Sequence, residues 1–270
     1  EMCIRDRTIL SIALDGGNRK WLGTKNSGAY LIAESGNELV KNYNLHSHAP
    51  ADPKYLKNIE CLYDAEIMTF DDNLKSLYKI LGDTGILSNT VICVLADHGE
   101  EFAEHGKIGH GYNLNEILLK VPILFIGNIP EIKKKQYYSV MDIFPSIMEM
   151  TGAEYGETDG ISLFSQMEHE LLYFSTFNYA SSDGKMYAKF AVRKGDLKLI
   201  YFPKEEKWEL FNTENDPDEK MNLYPRQDYS AQAGQLKELV LDYYDMEKQE
   251  KVKVKLDRSL EKTLKGLGYI

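Results

Sequence analysis

Residues 90–122 read TVICVLADHGEEFAEHGKIGHGYNLNEILLKVP, and this stretch decides the fold. Residues 90–96 are apolar and β-branched without alternation, which is typical of a central parallel strand covered on both faces. Residues 121–126 form a second apolar run of the same kind. In open α/β sheets ligands bind beyond the carboxyl ends of the strands, so the sequence places a site at Asp97 and His98.

Working outward, the rest of the first 165 residues predicts helices that alternate with apolar strands. A strand is expected over residues 8–14, and residues 15–52 read as loops with one short strand near Tyr30. Residues 142–150 predict a helix that ends at Gly152. Residues 63–81 predict an amphipathic helix because apolar side chains recur at steps of three and four: Ile67, Phe70, Leu74, Leu77 and Leu81. We therefore expect a layered α/β fold, a mixed sheet flanked by helices.

The pattern changes in the last hundred residues, where short strands alternate with turns. This part predicts a small antiparallel sheet followed by a charged C-terminal helix over residues 229–253. The strands are expected over residues 171–176, 186–193, 197–202 and 207–211. We accordingly divide the chain into residues 1–165 and residues 166–270.

Composition excludes several classes of function. The net charge is -10 and the pI is near 5.2, which disfavours nucleic acid as a partner because phosphate binding needs clustered Lys and Arg. No apolar run reaches the roughly 18–20 residues that span a bilayer. Three cysteines without CxxC spacing define no disulfide framework, so the compartment stays undetermined. In particular, Cys93 reads as an inert thiol inside a buried strand.

The chemistry of the site rests on one carboxylate and three histidines. Asp97 and His98 offer an oxygen and a nitrogen that can share a divalent metal, although they could instead cap the loop. His110 lies in Gly-His-Gly, where a histidine can meet an anionic substrate and act as a general acid. His105 is a weaker candidate for the substrate, because Glu104 could simply pair with it.

The neighbouring charges read as surface. Glu100, Glu101 and Glu104 form a charge run of the kind that usually makes a solvated face. Lys107 and Lys120 could attract an anion, or could equally be surface charges.

Several segments in order resemble one family. ADHGEEFAEHGKIGHGYNLNEILLKVPILF resembles the metal-site segment of the sulfatase family, within the alkaline phosphatase superfamily. SVMDIFPSIMEMTG resembles that family's Asp-hydrophobic-x-Pro helix. FAVRKGDLKLIY, followed by WELFNTENDPDEKMNL, resembles its small C-terminal sheet. The likeness spans residues 63–224 and implies a partial alkaline-phosphatase-like fold.

The resemblance also implies roles for single residues. Asp97 and His98 match the family's later pair of metal ligands, and His110 matches a Lys or His that contacts the transferred sulfuryl group. We expect His110 to be catalytic and, with His105, to bind substrate, whereas Asp71 and Asp72 are not ligands. The implied metal is calcium, with manganese, magnesium or zinc as alternatives. The implied substrate is a small-molecule or carbohydrate sulfate ester.

One part of the family pattern is absent from these residues. The sulfatase nucleophile lies in a Cys/Ser-x-Pro-Ser-Arg motif, which none of the 270 residues form. We therefore expect the C-terminal portion of a sulfuric ester hydrolase, inactive by itself. A phosphatase, a phosphonate hydrolase, a phosphoryl transferase or a non-catalytic degenerate module are the alternatives.

Overall fold

A computed structural model describes residues 9–14, 20–24, 28–32, 39–43, 53–179 and 186–249. The strands are β1 (Ile9–Leu14), β2 (Lys20–Thr24), β3 (Gly28–Ile32), β4 (Leu39–Tyr43), β5 (Ile92–Leu95), β6 (Glu101–Phe102), β7 (Ile108–Gly109), β8 (Ile123–Ile126), β9 (Leu172–Tyr179), β10 (Met186–Lys194), β11 (Leu197–Phe202) and β12 (Lys207–Asn212). The α-helices are α1 (Pro53–Asp83), α2 (Glu116–Leu119), α3 (Ile143–Thr151) and α4 (Ser230–Gln249).

The first four strands form an antiparallel sheet in the order β1-β2-β3-β4. The expected strand near Tyr30 is β3, but the prediction of loops elsewhere in residues 15–52 is wrong for β2 and β4. Backbone pairing such as Trp21 with Leu31 and Leu22 with Tyr30 builds these hairpins. Strand pairing is made by backbone hydrogen bonds and does not require a periodic pattern of side chains. The Gly-rich sequence therefore gave no signal for β2 and β4.

The long helix α1 is confirmed and extends beyond the predicted residues 63–81 at both ends. Pro53 stands at its first position, where the missing N–H costs no intrahelical bond. Its predicted apolar stripe is largely open, since Ile67, Phe70 and Leu77 are exposed by 52%, 55% and 45%. The spacing of the apolar residues thus predicted the helix correctly. It did not predict which part of the chain packs against that face.

The strand before the site has a different partner from the one expected. β5 pairs with β8 in antiparallel register, Ile92 opposite Ile126 and Leu95 opposite Ile123, so the prediction of a parallel strand is wrong. Cys93 of β5 and Ile123 and Phe125 of β8 pack against a buried cluster of three residues: Ile143, Leu163 and Phe164. A continuous apolar run indicates only that a strand is buried. Whether it pairs in parallel or antiparallel direction depends on the connection between the two strands.

The C-terminal antiparallel sheet is confirmed, with the order β12-β11-β10-β9. Alternating residues divide its two faces, as expected for a strand period of two. Phe190 and Val192 pack with α4, whereas Ala191 packs with Leu114 from the loop after the predicted site. The layered α/β fold with a small sheet and a final helix is therefore as predicted. The boundary at residue 165 stays a prediction, and residues 250–253 of the predicted helix lie outside the described residues.

Among the helices described here, none combines the length and the apolar character that a bilayer span requires.

Candidate metal and acid–base site

The site begins where β5 turns at Gly99. The Gly99 N–H donates to the Leu118 carbonyl at 2.8 Å, which ties the turn to α2. A Cβ atom at this position would lie 1.9 Å from the carbonyl oxygen of Ile117. Only glycine permits so close a backbone approach, and this approach determines where the preceding Asp97 and His98 lie.

Asp97 and His98 lie close enough together that they could share one ion. The His98 Nδ1 atom lies 2.9 Å from the Gly99 carbonyl oxygen. A carbonyl only accepts, so Nδ1 carries the proton and Nε2 keeps a free lone pair. Asp97 Oδ1 lies 3.7 Å from His98 Nε2. Two atoms that each bind an ion at about 2.0–2.5 Å are separated by a distance of this size, so the pair fits a divalent metal.

His110 lies against His98, and both histidines line the same open cleft of about 1380 Å³. Their ring centroids are 3.9 Å apart. Gly109 and Gly111 have φ angles of 104° and 79°, and this left-handed backbone turns the His110 ring toward the strand end. His110 Nδ1 donates to Glu100 Oε2 at 2.9 Å. This hydrogen bond raises the pKa of His110 against the lowering effect of burial, with the Glu100 and Asp97 charges adding to the rise.

Glu100 is the site residue that the sequence reasoning missed. The ligand atoms of His98, Glu100 and His110 all lie within 4.8 Å of one another, so these three could also hold a metal. The local hairpin explains the proximity, because Glu101 pairs with Gly109 and thereby places residue 100 beside residue 110. That hairpin, closed around the His105-Gly106 turn, was the available sequence signal.

The prediction of a solvated charge run is also wrong for Glu101, which is fully buried. Its Oε1 accepts from the backbone N–H groups of His105 and Lys107 at 2.8 and 3.2 Å. Glu104 in turn accepts from the Phe102 N–H at 2.5 Å. These carboxylates organise the hairpin, because they satisfy N–H groups that the two short strands leave free.

His105 is not brought into the group formed by His98, Glu100 and His110. Its Nε2 donates to the Asp218 carbonyl at 3.0 Å, which ties the hairpin to the C-terminal part of the chain. Glu104 does not pair with its ring, contrary to the alternative drawn from the sequence. His105 lines the cleft, so its contact with substrate stays a prediction.

A buried charge network, absent from the sequence reasoning, holds the loop after His110 against the C-terminal sheet. The fully buried Lys198 Nζ lies 2.8 Å from Glu116 Oε1 and 2.7 Å from Glu219 Oε1. The contact with Glu219 Oε1 is an ion pair. Arg193 Nη1 pairs with Glu116 Oε2 at 3.1 Å. The pKa of Glu116 is raised by burial, but Lys198 and Arg193 outweigh this effect and the net shift is downward.

Asp71 and Asp72 lie exposed on α1, and the expectation that they bind no metal stays a prediction. Cys93 packs beside the Ile143 cluster, and burial raises the pKa of its thiol, which disfavours the nucleophilic thiolate.

Comparison with known proteins places this geometry in a family. The Sulfatase family profile matches residues 29–153. The profile described as N-sulphoglucosamine sulphohydrolase, C-terminal, matches residues 104–249, more than half of the chain. The site segment lies inside the first match, and the C-terminal sheet lies inside the second. The chain belongs to the sulfatase family.

A curated relative is also a sulfatase. A Delta 4,5-hexuronate-2-O-sulfatase of Bacteroides thetaiotaomicron is 26% identical over 205 residues, which cover 69% of this chain and 40% of that protein. The chain thus spans less than half the length of this relative.

Two solved structures share the fold. One, in complex with its substrate D-glucosamine-2-N,6-O-disulfate, has a TM-score of 0.59 and 21% identity over 74% of this chain and 43% of that one. The phosphonate monoester hydrolase of Agrobacterium radiobacter has a TM-score of 0.57 and 19% identity over 71% and 42%. At these identities the likeness establishes the alkaline-phosphatase-like fold alone.

Proposed function

We propose that this chain carries the metal-binding and proton-donating part of a sulfate-ester hydrolase site. The single observation behind the proposal is the convergence of Asp97, His98, Glu100 and His110 at the end of β5. These four residues lie in the segment matched by the sulfatase profile. Membership of the family supports a hydrolase in general, and the geometry supports these roles.

Asp97 and His98 would hold a divalent cation. Calcium is the first choice, with manganese, magnesium or zinc as alternatives, because a carboxylate oxygen suits hard cations and an imidazole suits the latter metals. When bound, such a cation withdraws charge from the oxygens of the ester. The lone pair on His98 Nε2, left free by the Nδ1 bond to Gly99, is directed by the chain's own backbone.

His110 would bind the sulfate ester and donate a proton to its leaving oxygen. Its pKa is raised by the bond to Glu100, so more of its imidazolium form persists near neutral pH. With Nδ1–H held by Glu100, Nε2–H remains to donate to an anionic oxygen. Where a nucleophile forms the new bond to sulfur and the bond between sulfur and the ester oxygen breaks, this proton would pass to the leaving oxygen and yield the free alcohol. Glu100 orients the ring and stabilises its charge.

Turnover needs a nucleophile in addition. The family's Cys/Ser-x-Pro-Ser-Arg motif is not formed by these 270 residues, and Cys93 is a poor substitute because burial raises its pKa. We therefore propose that the chain by itself binds metal and sulfate ester but does not hydrolyse the ester.

The test is calcium titration by isothermal calorimetry of the full chain and of two matched variants. Asp97→Ala should weaken calcium binding at least tenfold, roughly the loss of one charged ligand. Asp71→Ala removes an exposed carboxylate on α1 and should bind as the parent does. Equal binding by parent and Asp97→Ala would remove Asp97 from the site.

A second titration addresses His110. In the presence of calcium, His110→Ala should bind 4-nitrophenyl sulfate at least about fivefold more weakly, because one charge-assisted hydrogen bond is lost. An unchanged affinity would refute its contact with the ester.

The alternative is another hydrolase of the same superfamily. The fold similarity to the phosphonate monoester hydrolase is close to the similarity to the sulfated-sugar complex. Replacing the sulfate ester by a phosphonate monoester in the same titration separates the two. Tighter binding of the phosphonate ester would favour this alternative.

A further inference from the structure

Lys189 lies next to the loop that carries His110. On the sheet, Lys189 of β10 is the direct partner of Thr176 of β9, so both side chains project from the same face. Thr176 Oγ1 donates to the Gly111 carbonyl at 2.8 Å. Lys189 Nζ lies 3.5 Å from Asn113 Oδ1. Two neighbouring side chains of the sheet thus contact the residues that follow His110.

The Lys189 ammonium is partly buried without an anionic partner. Among the described residues no carboxylate lies within salt-bridge distance of it, and its Nζ lies 4.7 Å from the ring centroid of Phe202. Lys207 Nζ lies over the same ring at 5.2 Å, but Glu209 Oε1 neutralises Lys207 at 2.5 Å.

The charges around Lys189 do not balance the positive charge of its ammonium group. Burial lowers its pKa to about 8, and Lys107 is the largest charged contributor to that lowering. Lys207 acts in the same direction, whereas Glu209 and Glu205 oppose it. Near neutral pH Lys189 therefore remains mostly protonated, and an anion beside it would relieve both its desolvation and the repulsion.

Lys107 is the second cation, and the carboxylates of its hairpin have other partners. Its Nζ lies 4.7 Å from the ring centroid of Tyr112. Glu100 is bonded to the ring of His110, Glu101 to backbone N–H groups, and Glu104 to the Phe102 N–H. In the described parts of the chain no carboxylate lies within 4 Å of Lys107 Nζ. Lys107 therefore carries a positive charge with no salt-bridge partner among the described residues, and this charge lowers the pKa of Lys189.

We propose that Lys107 and Lys189 form a second anion-binding subsite beside Asn113. This subsite takes a sulfate or carboxylate group of a substrate whose reacting ester lies at His110. The inference rests on the proposed function, because it assumes that the reacting ester binds at His110. It narrows the substrate class to esters with at least two anionic groups. A carbohydrate with a sulfate ester and a further sulfate or uronate group has this chemistry.

The competing explanation is that the Lys189 stem merely covers Phe202. Lysine stems commonly pack on apolar surface while the charge reaches solvent. Substitution by Met separates the two explanations, because Lys189→Met keeps the stem and removes only the ammonium. Lys194→Met is the matched control, since Lys194 is an exposed lysine of the same strand that pairs with Glu170.

The first experiment is NMR of the full chain with its lysines dimethylated with ¹³C, titrated with sodium sulfate and with sodium chloride at equal ionic strength. The signals of Lys107 and Lys189, assigned from their Met variants, should shift saturably with sulfate, and the pKa of Lys189 should rise. The Lys194 signal should follow ionic strength alone. Signals of Lys107 and Lys189 that respond no more than that of Lys194 would overturn the subsite.

The second experiment separates a free-anion site from a substrate subsite. Calcium-loaded chain is titrated calorimetrically with galactose 6-sulfate and with galactose 4,6-disulfate. Lys189→Met should weaken binding of the disulfate by about five- to tenfold and that of the monosulfate by less than about twofold. Equal losses for both sugars, or none for either, would overturn the assignment of a second substrate group to this subsite.

His110→Ala distinguishes the two proposals. If the proposed function fails, His110→Ala binds both sugars as the parent does, while the Lys189 signal still responds to sulfate. If the subsite fails, the Lys189 response is absent whatever His110 does.

Discussion

Removing the charge of Lys198 should destabilise the chain more than any exposed lysine can. Lys198→Met keeps the apolar stem and nearly the same volume, so the change is electrostatic. The ammonium is fully buried and contacts the Leu114 carbonyl, Glu116 and Glu219. Its loss leaves the Glu219 carboxylate, 1% exposed, without a counter-charge, whereas Glu116 keeps Arg193.

The magnitude follows from that asymmetry. Breaking a buried ion pair by removing one partner costs about 3–5 kcal/mol of the free energy of unfolding, because the remaining charge is uncompensated. Adding Glu219→Gln to Lys198→Met should recover about 1–3 kcal/mol, since a neutral amide costs less to bury than a lone carboxylate. Lys194→Met, the exposed control, should change the free energy by less than about 1 kcal/mol.

The assay is urea unfolding followed by the fluorescence of Trp208, in a Trp21→Phe background so that Trp208 is the only tryptophan. Trp208 stacks on Tyr201 in the C-terminal sheet at a centroid distance of 4.1 Å and reports on the sheet that contains Lys198. A loss below about 1 kcal/mol for Lys198→Met, the level of an exposed pair, would refute the reasoning. No recovery in the double variant would refute the role of Glu219.

The pH dependence gives an independent check. The folded-state pKa of Glu116 lies below its ordinary 4.5, because Lys198 and Arg193 outweigh the raising effect of burial. A carboxylate with a depressed pKa stabilises the fold above pH 4.5, and this stabilisation disappears as the pH falls through the folded-state value. The difference between parent and Lys198→Met should therefore be largest near neutral pH and should shrink below pH 4.5.

Two other substitutions test the site itself. In the metal-free chain, Glu100→Gln should lower the pKa of His110 toward 6.5, as measured by NMR of the imidazole protons, and an unchanged pKa would contradict the assigned bond. Because the pKa of His110 is raised, this bond stabilises the fold most below pH 6.5 and fades as the pH rises through the folded-state value. Gly99→Ala should cost about 1–3 kcal/mol or more in urea unfolding, because its Cβ meets the Ile117 carbonyl, whereas Gly156→Ala, with open space around it, should be nearly neutral. Equal stability of the two glycine variants would refute the close-approach argument.

The sequence predicted features that depend on neighbouring residues. The spacing of apolar residues identified α1, whereas glycine and turn signals marked the end of α3 and the strands of the C-terminal sheet. The sequence pointed to Asp97 and His98 because a carboxylate and an imidazole stand side by side at a strand end. His110 was singled out because glycines flank it, and in the folded chain its ring centroid lies 3.9 Å from that of His98.

The features that the sequence could not predict depend on residues far apart in the chain. The residues of β8 that pair with β5 lie 28 to 34 positions further along the chain, from Leu95 with Ile123 to Ile92 with Ile126. Lys198 contacts Glu116 across 82 positions. Hydrophobic periodicity does not specify which strands pair with each other. It also does not specify which charged side chains meet in the interior. The sequence alone therefore determined the longer helices, the strands other than β2, β4, β6 and β7, the family likeness and the expected place of the site. The tertiary structure alone decided that Glu100 orients His110 and that Lys198 anchors the site loop, because only folding brings distant charges within bonding distance.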